Sequence, residues 1–151
     1  GGGASIAGDG YATIGEWHSV GGIKFGSLEV AEARFPLFFE THEYREGSGG
    51  AGRFRGGTGA DMRLRVETAE AAIANTAGEG VVHGACGMLG GADGAPHDYT
   101  LLAPGVPPRK LASKEVGIAV PPGSVFHVLS GGGGGWGEPE SCTTRDPKGS
   151  N

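Results

Sequence analysis

The stretch Ala60–Glu67, which reads ADMRLRVE, indicates the fold class because apolar and charged side chains alternate along it. In an extended chain, successive side chains point to opposite faces. Met62, Leu64 and Val66 therefore share one face, and the charged residues share the other. The pattern predicts a β-strand that packs one face against a core.

Further strands are predicted on both sides of this stretch. In Phe35–Glu46, the residues Leu37, Phe39 and Thr41 share one face of a strand, and Phe38, Glu40, His42 and Tyr44 share the other. Alanine-rich Ala69–Thr76 has a helix-forming composition, but it lies between strand signals and turn glycines, which favours a strand. The other predicted strands are Tyr11–Ile14, Asp98–Ala103, Glu115–Val120 and Ser124–Leu129, the last two paired as a hairpin through Pro121-Pro122-Gly123.

One short helix is compatible with the sequence. Ser27–Arg34 has a serine at a plausible N-cap position and good helix formers after it, and Pro36 then enforces a stop. One or two helical turns, or an extended entry, fit this segment. The predicted fold is therefore all-β, a β-rich sandwich or distorted barrel with glycine-rich loops and at most one short helix. We expect a single β-rich domain over residues 1–140 and a polar tail over residues 141–151.

Glycine content is extreme, with 33 Gly and 9 Pro among 151 residues. Such levels are typical of disordered chains. Here, however, the glycines separate segments that alternate cleanly, which favours turns and bulges in a β-rich body. We predict a flexible connection at Gly47–Gly59, and we expect the run Gly131–Gly135 to permit close packing of the backbone against a neighbouring surface.

Composition argues against several classes of protein. The net charge of −5 gives no electrostatic case for a nucleic-acid partner. No apolar run approaches the roughly 20 residues of a membrane span, so no membrane association is expected. The opening three glycines lack the basic and apolar regions of a signal peptide, and we expect a cytoplasmic location.

The residues that could carry chemistry give no strong site. The string G-x-x-x-x-G-K-[ST] of a phosphate-binding loop is absent, so no nucleotide is predicted to bind this chain. His83 and Cys86 have H-x-x-C spacing, but a structural zinc needs four nitrogen or sulfur ligands. Cys86 would become a reactive thiol if His83 approached it, although a structural cysteine is commoner. Free thiols at Cys86 and Cys142 are favoured over a disulfide. The sequence decides neither the zinc role nor the reactive-thiol role.

Arginine and aromatic residues form the best candidate for an interaction surface. Arg53 and Arg55 flank Phe54 within a glycine-rich segment, and Trp136 lies in another. Because arginine and large aromatics are enriched where interface energy concentrates, we predict that Arg53, Phe54, Arg55 and Trp136 contact a partner subunit. No catalytic, cofactor-binding or metal-binding residue is predicted in this chain.

Four strings in fixed order resemble the carboxy-terminal region of the hydantoinase B/oxoprolinase family. They are LEVAEARFP (28–36), SGGAGRFRGGTG (48–59), GMLGGADGAP (87–96) and PPGSVFHVLSGGGGGWGEP (121–139). The terminal Asp-Pro of the family is Glu138-Pro139 here, which leaves the substrate branch open.

This resemblance implies a role within a larger enzyme assembly. The chain would be a small, largely structural subunit, or a carboxy-terminal segment, of an ATP-dependent ketone carboxylase of the acetophenone or acetone carboxylase type. The alternative is part of the B component of an ATP-dependent cyclic-amide hydrolase such as N-methylhydantoinase, 5-oxoprolinase or caprolactamase. Either way, the implied partners are large hydantoinase B-like and hydantoinase A-like subunits. ATP and a divalent metal, Mg or Mn, are expected in the whole complex, and the chain alone is not expected to be catalytic.

Overall fold

The computed structural model describes residues 1–12 and 26–139. One helix and seven strands follow in chain order within them: α1 Leu28–Arg34, β1 Leu37–Arg45, β2 Gly59–Val66, β3 Ala72–Ala77, β4 Asp98–Leu102, β5 Arg109–Lys110, β6 Lys114–Val120 and β7 Val125–Leu129. The predicted polar tail at 141–151 lies outside the described residues, as does part of the strand predicted at Tyr11–Ile14. Within the described part, no helix has the length and apolar character needed to cross a membrane.

The strands form two antiparallel layers. β1, β2, β7, β4 and β5 make a five-stranded sheet in that order, and β3 pairs with β6 in a separate two-stranded ribbon. The core lies between the two layers. It is formed by buried side chains from the sheet, the ribbon and the connection before β6, namely Val66, Leu101, Leu111, Ile118 and Val120. The all-β prediction is confirmed, in the form of an unequal sandwich.

The two strongest strand predictions are confirmed, with one correction. β2 covers Gly59–Val66, and Val66 is buried at its end, whereas Met62 and Leu64 on the same face are half-buried. In β1, however, the register against β2 shifts between Phe39 and Thr41, so Glu40 is an extra residue in a β-bulge. The bulge reverses the alternation that follows it. His42 therefore lies on the same face as Leu37 and Phe39, and the predicted placement of Thr41 with them was wrong.

The hairpin predicted between β6 and β7 was also wrong, although the turn itself exists. Ser124 donates its backbone N–H to Pro121, and Gly123 has a φ of 74°, as a tight turn requires. Backbone bonds between this turn and Val66 attach it to the end of β2. β7 therefore pairs with β2 and β4, whereas β6 pairs with β3 in the other layer.

The segment predicted as helical turns or an extended entry is the helix α1. Ser27 caps it by accepting a hydrogen bond from the Val30 N–H at 3.4 Å. The helix contains no buried residue, and it ends at Arg34, two residues before Pro36.

A bundle of extended glycine-rich segments continues the five-stranded sheet at one end. The connection from β1 to β2, the segment that enters β4 and the segment that leaves β7 all meet at this end, because neighbouring strands are antiparallel. We call this region the glycine bundle. It comprises residues 1–4, 8–11, 48–57, 84–95 and 131–137, whose backbones hydrogen-bond to one another.

Residues 131–135 form the central segment of the glycine bundle, and their contacts repeat every three residues. Gly132 and Gly135 donate their N–H groups to Ala95 and Ala92, which belong to one neighbouring segment, at 3.0 and 2.9 Å. A helix of polyproline II type has three residues per turn and no internal hydrogen bonds. The central segment matches this description, because each residue pairs outward and none has a positive φ.

Glycine is required at Gly132–Gly135 because the neighbouring backbones approach too closely for any side chain. A Cβ at Gly132 would lie 1.8 Å from the carbonyl oxygen of Ser48, and one at Gly135 would lie 2.2 Å from that of Ala51. The expectation of close backbone packing at Gly131–Gly135 is confirmed. The connection between strands predicted at Gly47–Gly59 is confirmed, since the segment joins β1 to β2, and Gly56 and Gly57 within it are buried and hydrogen-bonded in the bundle.

Candidate functional site

Phe54 and Trp136, both predicted interface residues, lie side by side in the glycine bundle. Each donates its backbone N–H to the other's carbonyl oxygen, at 3.0 Å from Phe54 and 2.9 Å from Trp136. Their rings are 5.9 Å apart between centroids and inclined by 39°. Both residues are half-buried, so part of each ring is open to an incoming surface. Nothing in the sequence indicated that these two residues, 82 positions apart, would meet.

The two arginines predicted beside them are exposed and differ in their contacts. The Arg53 guanidinium lies 5.7 Å from the centroid of the Phe54 ring, within the range of a cation–π interaction. The backbone N–H of Arg55 donates a hydrogen bond to the carboxylate of Asp9 at 2.7 Å. The guanidinium group of Arg55 takes no part in this bond. The segment is therefore held in place by its backbone, and it presents two positive charges around a fixed aromatic ring.

Met88 and Leu89 extend this surface, and sequence reasoning missed them. Met88 forms a bridge with Trp136 and is 58% exposed. Leu89, the next residue, is 70% exposed and has a φ of 52°, a left-handed conformation that non-glycine residues rarely adopt. Strained residues of this kind cluster at functional sites. The signal available in the sequence was a pair of large apolar residues placed directly before the turn glycines of GMLGG. We call Arg53, Phe54, Met88, Leu89 and Trp136 the aromatic tip.

Arg63 and Arg65 belong to the face of β2 opposite the core. Arg65 pairs with Glu40 at 3.0 Å and with Glu67 at 2.9 Å, and Arg63 pairs with Glu40 at 3.6 Å. The hydrogen bond that Arg65 donates to the Glu67 carboxylate raises the pKa of Arg65, and the negative charge of Glu40 adds to this effect. The charges of these arginines are thus compensated by carboxylates on the same sheet face.

The remaining residues considered for chemistry do not converge on a catalytic or metal site. Across residues 1–12 and 26–139, no three His, Cys, Asp or Glu side chains stand close enough to hold a metal ion. The described residues therefore do not provide a set of ligands for a divalent metal. Cys86 is an exposed free thiol, and Cys142 lies outside the described residues. The Nε2 atom of His127 is 2.9 Å from a carboxylate oxygen of Asp61, as expected of a hydrogen-bonded strand histidine.

His97 borders an open cavity next to the glycine bundle. Glu79, His83 and His97 line this open cavity of about 360 Å³. The imidazole of His97 stacks on Tyr99 with centroids 6.1 Å apart, and burial lowers its pKa from the ordinary value of 6.5. Within the described part of the chain, its Nδ1 atom is buried without a hydrogen-bond partner. The neutral ring is therefore the stable form in the folded chain.

Similarity to known proteins places this architecture in one family. The sequence profile described as hydantoinase B/oxoprolinase matches residues 1–139. The chain is 31% identical over 112 residues to the 5-oxoprolinase of Saccharomyces cerevisiae, a match that covers 73% of this chain and 8% of that protein. It is 36% identical over 64 residues to caprolactamase subunit beta of Pseudomonas jessenii, which covers 42% of this chain and 11% of that subunit.

Solved structures give the same result for the fold. An acetone carboxylase in its nucleotide-free form superposes with a TM-score of 0.71 at 19% identity, covering 90% of this chain and 22% of that one. The ATP-dependent caprolactamase of Pseudomonas jessenii superposes with a TM-score of 0.66 at 27% identity, covering 90% of this chain and 24% of that one. This chain thus spans about a tenth of the curated relatives' length and about a quarter of the solved chains. It belongs to the hydantoinase B/oxoprolinase family.

Proposed function

We propose that this chain is a structural part of the B component of an ATP-dependent enzyme, as a small subunit or a carboxy-terminal segment. The observation that carries the proposal is the location of the family strings. SGGAGRFRGGTG, GMLGGADGAP and GGGGGWG all lie in or next to the glycine bundle, where added side chains would strike neighbouring backbones. Packing accounts for these residues without assigning them a role in catalysis.

The reaction of the assembly is proposed to be ketone carboxylation, which forms a β-keto acid from a ketone and bicarbonate. The order of the family strings and the fold shared with an acetone carboxylase over 90% of this chain are compatible with this reaction. ATP and a divalent metal, Mg or Mn, would be bound by the large hydantoinase A-like and hydantoinase B-like subunits. In this arrangement the present chain supplies a rigid wall and contact surfaces, and it takes part in the reaction only as a subunit.

Hydrolysis of a cyclic amide is the second candidate reaction, and a specific observation favours it. The curated relatives that are 31% and 36% identical to this chain are named 5-oxoprolinase and caprolactamase subunit beta. Both candidate reactions place the chain in the same assembly, and they differ only in the substrate that the large subunits accept.

The aromatic tip is proposed to seat the chain against a large subunit. It combines an exposed arginine, two rings that are partly open and two exposed apolar side chains at one place on a rigid backbone. Because the backbone is already fixed, association would order few groups and would cost little conformational entropy there.

The test is an assay of the complex purified with its hydantoinase A-like and hydantoinase B-like subunits. Carboxylation predicts that acetone or acetophenone with bicarbonate stimulates ATP consumption and incorporates labelled bicarbonate into a β-keto acid. Amide hydrolysis predicts ATP-dependent opening of 5-oxoproline or caprolactam without bicarbonate. A complex that turns over either substrate class without consuming ATP would contradict the proposal.

A further inference from the structure

The two-stranded ribbon has an outer face that nothing in the described structure covers. Ala72 and Ala74 of β3 pair with Val120 and Ile118 of β6 on the inner face, which packs against the core. Ile73 therefore points outward, and it is 79% exposed. The ribbon thus packs on the core through its inner face alone, and its outer face is open to further packing.

The open edges of the five-stranded sheet are protected against pairing with another strand. β1 carries the bulge at Glu40 and several charged residues, and β5, at the other edge, consists only of Arg109 and Lys110. Bulges, charged side chains and very short strands are the usual means by which proteins block sheet edges.

The β6 edge of the ribbon has the same protection. Val116 and Gly117 together oppose Asn75, which makes a bulge in β6, and Gly117 adopts the required positive φ of 69°. The amide of Asn75 accepts a hydrogen bond from the Gly117 N–H at 2.9 Å and fixes this bulge. Lys114 adds a charge at the start of the strand.

The β3 edge is the exception. Its sequence, AIANTA, contains no charged residue and no proline, and the bulge of the ribbon lies in its neighbour. Within residues 1–12 and 26–139, no strand pairs with its outer edge. An uncharged, regular edge strand of this kind is a template for strand addition.

We propose that the outer edge of β3, Ala72–Ala77, accepts a β-strand from the large hydantoinase B-like polypeptide. Ile73 would then pack against a neighbouring side chain of the added strand on the outer face of the ribbon. This inference rests on the proposed function, since it assigns the surface through which the chain joins its B component. We assign the added strand to this large polypeptide because about three quarters of each solved chain that shares the fold lies outside the region matched here. The added strand should be apolar opposite Ile73, because no charge on β3 is available to pair with one.

Hydrogen exchange in the purified complex tests the pairing. In an edge strand, alternate backbone N–H groups point to solvent and exchange rapidly, whereas an internal strand protects all of them. We expect every amide over residues 73–77 to exchange at least tenfold more slowly than the outward amides of β6. Alternating fast and slow exchange along β3 in an intact complex would overturn the inference.

The affinity of the chain for the large subunit, measured after a charge is introduced on β3, tests the same surface. Ile73→Lys should weaken assembly with the large subunit at least tenfold, because a lysine on the edge strand opposes strand addition. Val106→Lys, at a residue 59% exposed in a turn, is the matched control and should change affinity less than twofold. Equal effects of the two substitutions would overturn the inference and leave the proposed function standing.

Two other outcomes are decisive. Failure of the wild-type chain to assemble with the hydantoinase B-like polypeptide would overturn both the inference and the proposed function. A native mass twice that of the chain, abolished by Ile73→Lys, would identify a second copy of the chain as the occupant and overturn the inference alone.

Discussion

Replacing Gly133 with alanine should destabilise the chain strongly, because Gly133 lies at the centre of the glycine bundle. The added Cβ would stand 1.8 Å from the carbonyl oxygen of Gly2, whereas real Cβ contacts are essentially never closer than 3.0 Å. The backbones must therefore separate by more than an ångström. This displacement strains the hydrogen bond from Gly50 to Gly133 at 2.8 Å and that from Gly133 to Gly57 at 2.9 Å.

The magnitude follows from these contacts. Overpacking costs about 1–3 kcal/mol, and each weakened backbone hydrogen bond adds about 1 kcal/mol. We expect a loss of about 3–5 kcal/mol from the free energy of unfolding of this chain, and a lower melting temperature as a consequence. Gly3→Ala is the control within the same bundle, since its nearest neighbour would be 3.9 Å away, and it should be neutral. Thermal melts of both variants in the purified complex check this, and equal melting temperatures would refute the steric account of the glycines.

Four further predictions concern the tip, the cavity and the isolated chain. Phe54→Ala should weaken assembly by about 2 kcal/mol or more, measured by calorimetry, while Phe35→Ala, at an exposed phenylalanine beside α1, should not. Replacing Arg53 and Arg55 with alanine should weaken assembly more at low salt than at high salt; loss of substrate affinity with normal assembly would instead place them in the reaction chamber. Because burial lowers the pKa of His97 below 6.5, the unfolded chain binds its proton more readily. Stability should therefore be fully present above about pH 6.5 and fall below it, and His97→Gln should reduce that fall between pH 7 and pH 5 in melts followed across pH. The chain alone should not bind Mg–ATP in calorimetric titration, and micromolar affinity would contradict this.

The strands could be predicted where one face meets the core. Met62, Leu64 and Val66 alternate with charged residues, and this stretch is β2 in the structure. Val66 joins the core, whereas Arg63 and Arg65 pair with Glu40 on the other face. The bulge at Glu40 could not be read from alternation, because one extra residue shifts the phase and leaves the composition of β1 unchanged.

Long-range pairing was the main limit of sequence reasoning. The turn at Pro121–Gly123 has the residues of a hairpin, but its backbone bonds to Val66 direct β7 onto β2 instead of β6. Local propensity describes the turn and carries no information about Val66, which lies more than fifty residues earlier in the chain.

The glycine bundle shows the same limit for the candidate site. Glycine runs are typical of both flexible loops and close packing, and the choice depends on neighbours distant in sequence. Phe54 and Trp136 were identified by residue type, whereas their contact depends on the bundle that brings their segments together. Met88 and Leu89 were missed because their exposure follows from that same packing.

Native mass spectrometry of the assembly purified through this chain tests the central claim most directly. The account predicts one stoichiometric complex that contains this chain with hydantoinase B-like and hydantoinase A-like polypeptides, and ATP-dependent turnover that is lost when this chain is omitted from reconstitution. Recovery of the chain as a free monomer with a sharp, cooperative melting transition, beside large subunits that remain fully active without it, would contradict the account.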